Sequence, residues 1–380
     1  MDLDALLAPV LATARAHAAE VDAEGAFPRH AIDDLRDGGL LGLTVPVEAG
    51  GLGAGPHELV TALSAVAQAC GSTAMVYLMH VVAAGTVAAA PPPGRPALLR
   101  QLATGEKLAT LAFSEPGSRS HFWAPTSQAQ TDNGDRTRLK SRKSFVTSAG
   151  SAGVYLVSTL TSPELAPAAE APVPVDVFAV DGDTDGVVVA GTFRGLGLRG
   201  NASAPMTFDL TAPDTDRLGQ PGSGFGLMME AVMPWFNLGN AAVSLGLAQA
   251  AVDGAVAHTS GARLQHLGET LAQLPTIRAQ LARAGLELET TRSYVYTTAT
   301  SIATADPAAQ RQVLGVKAVA NDAALRITDI AMRVCGGAAF SEHLPLERHF
   351  RDARAGGIMA PTADVLYDYY AKVLTGQPLF

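Results

Sequence analysis

Apolar residues recur with a helical period along the last third of the chain. Val313, Val316, Ala320, Ala323, Ile327, Ile330 and Val334 are spaced 3, 4, 3, 4, 3, 4, which is one stripe on a long helix. Ile277, Leu281, Ala284, Leu288, Val295, Ala299 and Ile302 form a second seam. Asp306 and Pro307 lie between the two seams and supply a turn, so the pattern predicts two long antiparallel helices. Gly226 to His258 and Thr362 to Leu374 bring the count to four, a four-helix bundle over residues 221–380. Residues 1–106 also read as helix: an Ala-rich opening, then a segment from Phe27, then one continuous apolar helix from His57 that PPPGRP at Pro91 ends. VPVEAGGLGAG, from Val45, is a tight loop because its glycines tolerate positive φ.

Between these helical regions the pattern changes to short apolar runs broken by Gly, Pro, Asn and Asp. Val154–Leu160, Val175–Val180 and Val187–Thr192 are rich in β-branched residues, and TDNGD at Thr131 carries an Asn-Gly hairpin signal. Residues 107–220 are therefore expected to form a central β domain, with an exposed loop from Ser162 to Pro174. The organisation is α+β, mainly α.

Composition narrows the classes. With 27 basic and 36 acidic side chains the net charge is −9, which disfavours a nucleic-acid or anionic-membrane surface. Two cysteines, Cys70 and Cys335, cannot staple a chain of 380 residues, and no Cys/His cluster has zinc spacing, so a reducing, cytoplasmic setting is expected. The start carries Asp2 and Asp4 where a secretory segment would be positive. Ala231–Val252 reaches membrane-span length but contains Pro234, Asn237, Asn240, Ser244 and Gln249, and reads as a buried helix.

GLGLRG at Gly195 has the G-x-G-x-x-G spacing but leads into no predicted helix, and Walker A, G-x-S-x-G and H-E-x-x-H are missing. What remains is a series of glycine and hydroxyl motifs. SEPGSRS from Ser114 and KSFVTSAG from Lys143 end predicted strands in turns that expose amides and hydroxyls. Together with FP at Phe27, VPVEAGGLG, RVCGGAAF and PLERHFRDAR, they occur in one particular order. That order resembles the acyl-CoA dehydrogenase superfamily of flavoproteins, from about Phe27 to Leu374.

The resemblance implies a β-barrel-like central domain and FAD held where that domain meets the bundle, partly by a neighbouring copy in a homodimer or homotetramer. Backbone N–H groups and hydroxyls suit the acceptor-rich edge of the isoalloxazine, and an aromatic suits its face. Carried over position by position, Phe113 and Ser114 meet the flavin edge and Ser120 a phosphate oxygen. Phe145 stacks near the ring, Thr147 points toward N5, and Thr362 lies in the segment aligned with the family's Y-E-G-T. Arg263 contacts the pyrophosphate, and Gly336 and Gly337 approach the adenosine part of a partner's cofactor. Arg348, Arg351 and Asp352 are expected to build a salt-bridged domain or subunit contact.

The departures from the family pattern concern the catalytic base. The glutamate that removes the substrate's α-proton aligns with Ala360, and the alternative glutamate of some members falls near Phe236. Loss of a positioned carboxylate costs roughly 10²- to 10⁴-fold in rate. Asp364, Glu230 and Tyr367 are candidate substitutes, whereas for the flavin monooxygenase branch of the fold, which does without the glutamate, His80 is the candidate donor facing the flavin, with His343 or His349 near the other flank. Three readings follow: an FAD-dependent oxidoreductase acting on an acyl thioester with a non-standard base and a separate electron acceptor; a monooxygenase of the same fold, fed reduced FAD or FMN by a reductase; or a catalytically silent homologue.

Overall fold

The computed structural model describes residues 1–166 and 173–380. The N-terminal part comprises α1 (Leu3–Glu24), α2 (Arg29–Asp37), α3 (Pro56–Ala69), α4 (Gly71–Ala89) and α5 (Leu98–Ala103). The continuous helix expected from His57 is in fact two. Cys70 is extended at φ −155° and ψ 115°, so α4 starts afresh at Gly71. The break lets the chain pass close to the C-terminal part: a Cβ on Gly71 would lie 2.8 Å from Oδ2 of Asp352. The VPVEAGGLGAG loop is tight, with Gly50 and Gly53 at positive φ.

Among the described residues seven strands follow: β1 (Ala109–Ala112), β2 (Gln130–Asp132), β3 (Arg136–Val146), β4 (Val154–Leu160), β5 (Val175–Asp181), β6 (Val187–Val189) and β7 (Ala204–Pro213). They form a three-stranded sheet, β1-β4-β5, and a four-stranded sheet, β2-β3-β7-β6. The inner faces share a core that includes Leu139, Tyr155, Phe178, Met206 and Phe208. The Asn-Gly hairpin joins β2 to β3, with Asn133 and Gly134 both at positive φ as a tight hairpin turn requires. β6 stops at Val189, so the strand expected to reach Thr192 is shorter, and residues 192–205 become a wall of the cavity described below. Part of the loop expected from Ser162 to Pro174, residues 167–172, lies outside the described residues.

The C-terminal part begins with a short helix, α6 (Gly224–Leu227), and a π-turn, Met228–Val232, that leads into α7 (Met233–Gly261). A two-stranded hairpin, β8 (Arg263–Leu264) and β9 (Glu269–Thr270), precedes α8 (Pro275–Ala303), α9 (Ala309–Cys335), α10 (Gly337–Phe340), α11 (Leu346–Ile358) and α12 (Ala363–Leu374). The two seams pack as the periodicity requires: Ala284, Leu288, Val295 and Ala299 of α8 are buried, as are Val313, Val316, Ala320, Ala323 and Ile327 of α9. Besides the four expected helices there is a fifth. PLERHFRDAR forms most of α11, which packs against α7 and α9. Ala231–Val252 lies in the π-turn and α7 and is largely buried.

Candidate active site

One cavity of about 880 Å³ opens where the β domain meets the helices. Its walls are the end of β1 with the turn that follows, the end of β3, residues 192–205, the start of α7 and the segment from α11 into α12. Of the positions carried over from the family, Phe113, Ser114, Ser120, Phe145, Thr147 and Thr362 all line it. The structure thus brings together residues drawn from three separate motifs.

Glu115 and Lys143 fix the turn after β1. Lys143 Nζ lies 2.5 Å from Oε1 of Glu115, and both side chains are almost wholly buried. The carboxylate also accepts from the amides of Thr126 and Ser127 (2.8 Å each) and from their hydroxyls (2.7 and 2.6 Å). Burial alone would raise the Glu115 carboxyl, but Lys143 and these hydroxyls outweigh it and hold the group below the usual carboxylate range. A carboxylate so fully engaged is a strut for residues 114–127 and takes no proton from a substrate. At the end of β3 the register breaks between Lys143 and Val146, which turns Phe145 outward at φ +58° with 73% of its surface exposed. Thr147 is buried, its hydroxyl 3.1 Å from that of Ser203.

The opposite wall depends on α11. Arg351 pairs with Asp22 of α1 and with Glu347, and it donates to the Leu196 carbonyl at 3.1 Å. Asp352 accepts from the Leu198 amide at 2.6 Å. These are the contacts between parts of the chain expected of the R-x-x-R-D run, and they hold residues 196–198 against α11, where Gly197 lies too close for any Cβ. Arg348 takes no part: its buried Nε has no partner among the described residues. Below the segment that follows α11, Lys317 of α9 is fully buried and donates to the carbonyls of Gly356 (2.8 Å), Met359 (3.1 Å) and Pro361 (2.8 Å). No carboxylate pairs with it among the described residues, and burial pushes its ammonium down to about 7. Lys317 was not visible as a site residue in the sequence, although a single lysine inside the run Leu314–Ala320 was the available signal.

The candidate bases lie elsewhere. His80 is fully buried beside β1: its Nδ1 accepts from the Ala109 amide at 3.0 Å and its Nε2 lies 3.2 Å from the Leu102 carbonyl. Burial pushes its pKa down to about 4, and it does not line the cavity, so its expected place facing the flavin is not what the structure shows. Its neighbour Met79 takes that place, because one residue along a helix turns the side chain by about 100°. Asp364 is exposed on the first turn of α12, Glu230 is exposed on the π-turn, and Tyr367 bonds Asp322 at the surface. His343 is exposed, and His349 is buried away from the lining. Ala360 and Phe236, the two positions aligned with family glutamates, both line the cavity. Arg263 sits exposed on the β8–β9 hairpin, and Gly336 and Gly337 are exposed beyond α9, all three outside this chain's own cavity.

The lining fits a flavin nucleotide. Its volume lies within the roughly 300–1,000 Å³ of ligand pockets. The hydroxyls of Ser114 and Ser120 and the guanidinia of Arg119 and Arg194 make no hydrogen bond among the described residues, so hydroxyl donors and cations are available to a ring edge and to phosphates. Family models for the N-terminal, middle and C-terminal domains of acyl-CoA dehydrogenase match residues 8–106, 110–211 and 222–375.

The chain belongs to the acyl-CoA dehydrogenase superfamily. Short-chain specific acyl-CoA dehydrogenase of Bos taurus is 29% identical to it over 356 residues, 92% of this chain and 83% of that one. Butyryl-CoA dehydrogenase of Megasphaera elsdenii superposes with a TM-score of 0.91 at 24% identity, over 99% of this chain and 98% of that one. The prolyl acyl carrier protein oxidase AnaB superposes at 0.87 with 20% identity, over 98% and 99%. As an acyl-CoA dehydrogenase-like protein, the chain is a flavin-dependent oxidoreductase.

Proposed function

We propose that this oxidoreductase takes an acyl thioester-type substrate into the cavity and turns it over without a carboxylate from either family base position. One observation carries the reading: Ala360 and Phe236 line the cavity, while the only carboxylate in the lining among the described residues, Glu115, is locked to Lys143. Phe113, Ser114, Ser120, Phe145, Thr147 and Thr362 would hold FAD, with Arg263, Gly336 and Gly337 acting from a neighbouring copy in a homodimer or homotetramer. When bound, the flavin would supply a two-electron acceptor for a hydride, and a separate electron acceptor would take up those two electrons. The chain's own residues do the rest. Met79, Leu111, Val232 and Phe236 give apolar walls that exclude water from the reacting carbon, and Arg119 and Arg194 at the exposed rim receive phosphate. The proton then leaves to a basic group on the substrate itself. That favours substrates whose C–H bond is already activated, such as α-amino acyl thioesters. AnaB, whose name gives it a carrier-bound prolyl group, supports this direction. Two buried thiols, Cys70 and Cys335, suit a reducing, cytoplasmic setting.

The same lining favours a second reading. Hydroxylation by reduced FAD or FMN and oxygen, with a reductase as partner, requires a dry cavity and no carboxylate base. Anaerobic mixing of the FAD-loaded protein with simple and α-amino acyl thioesters separates the two readings. Bleaching of the flavin by α-amino acyl thioesters is the expected result. An unbleached flavin, with hydroxylated phenol or amine products once reductant and oxygen are supplied, replaces the first reading with the second. No turnover in either assay overturns both.

A further inference from the structure

The outward face of β3 carries Arg136, Arg138, Lys140 and Arg142 at alternate positions, between the inward Thr137, Leu139, Ser141 and Lys143. At about 3.3 Å per residue, these four cations span about 20 Å. Arg138 pairs with Asp209 of β7, and Arg136 donates to the Thr211 carbonyl at 2.8 Å. Lys140 and Arg142 are exposed and make no ion pair or hydrogen bond among the described residues. The strand runs toward the cavity: Ser144 and Phe145 line it, and the exposed Arg119 and Arg194 stand on its rim. Six cations thus lead to the opening, and the strands beside β3 set only Asp132 and Asp209 opposite them. Beside Arg142 lie Thr207 and then Val188, which is 53% exposed. All this belongs to a chain of net charge −9.

We propose that this face docks an acidic carrier protein, which presents its tethered acyl thioester to the cavity. The inference rests on the thioester reading above and names the carrier of that substrate. Charge complementarity selects the occupant. A second copy meeting the face two-fold would set cations against cations. A free nucleotide thioester needs only the rim arginines, which leaves the stripe from Arg136 to Arg142 without a role. An extended polyanion would run off the stripe onto a surface of opposite sign. A small acidic protein covers the stripe, uses Val188 as an apolar contact, and gains on-rate and orientation from the field.

The test uses the FAD-loaded full chain and two probes: an acyl carrier protein bearing a butyryl-phosphopantetheine arm, and butyryl-CoA. Carrier binding is read by fluorescence anisotropy and butyryl-CoA binding by perturbation of the flavin spectrum. The double variant Lys140→Glu/Arg142→Glu should weaken carrier binding at least about tenfold, and added salt should weaken the wild type in the same direction. The milder Lys140→Gln/Arg142→Gln should fall between, and butyryl-CoA should bind all forms alike. Carrier binding that is absent, or unmoved by the double variant, overturns the docking while butyryl-CoA binding leaves the thioester reading intact. Equal loss of both ligands also overturns it. So does a change of oligomeric state in the variant, which would make the face a contact between copies. If butyryl-CoA fails to bind but the carrier still binds in a charge-dependent way, the docking stands and the thioester reading needs a different acyl group.

Discussion

Ala360 follows Met359, whose carbonyl Lys317 holds, so a longer side chain at 360 would start from a fixed backbone on the cavity wall. Ala360→Glu should therefore restore a proton acceptor, and anaerobic flavin bleaching by butyryl-CoA should speed up by at least about 100-fold. An unchanged stopped-flow rate would mean that position 360 does not face the reacting carbon. His80 has a different use. With both ring nitrogens engaged and its pKa near 4, it stays neutral in the fold, while in the unfolded chain it takes a proton near its ordinary 6.5. Its contribution is thus complete above 6.5 and is lost as pH falls from there toward 4. His349, pushed down to about 3 by burial and by Arg348, acts in the same sense, whereas Asp352, pushed up to about 6 by burial, opposes them between 3.8 and 6. His80→Gln should flatten the fall of the urea midpoint between pH 6.5 and 4, and a slope equal to wild type would refute the assignment. At this scale six residues that line the cavity were legible because each sits inside a short motif. The misplacement of His80 shows the limit: a helix hydrophobic all round gives no sign of which side meets the cavity.

The segment between α11 and α12 is held by one side chain from another helix. Replacing Lys317 with Met leaves the carbonyls of Gly356, Met359 and Pro361 buried without their donor, at roughly 1–3 kcal/mol for each unsatisfied group. Lys317→Met should lower the urea midpoint. Its FAD dissociation constant should also rise about tenfold or more, because Ala360 and Thr362 belong to the loosened wall. A destabilised variant that binds FAD as tightly as wild type would make Lys317 structural only. Elements were legible where the apolar positions keep a clean helical period, as in the seams of α8 and α9. β3 was marked only at its two ends, by the Asn-Gly turn and by KSFVTSAG, because its outward positions from Arg136 to Arg142 are all charged and its inward ones include Thr137, Ser141 and Lys143, so no apolar alternation marks its middle. The Glu115–Lys143 strut and the Lys317 contacts join residues 28 to 44 positions apart, beyond the reach of any local pattern.

Across the whole molecule, the positions expected to hold the cofactor fall into two groups that one chain does not bring together. Phe113, Ser114, Ser120, Phe145, Thr147 and Thr362 line the cavity, while Arg263, Gly336 and Gly337 are exposed outside it. If the second group serves a neighbouring copy, FAD binding and association are linked, and each must strengthen the other. FAD at 100 times its dissociation constant should stabilise the fold by about 2.7 kcal/mol, read as a rise in melting temperature that grows with ligand concentration. Diluting the protein at fixed free FAD should shrink that rise, and Arg263→Ala should shrink it further while leaving the melting temperature of the flavin-free protein unchanged. A rise independent of protein concentration and insensitive to Arg263→Ala would show that each chain holds its flavin alone. In that case Phe145, 73% exposed at the rim, would have to close the site without help from a partner.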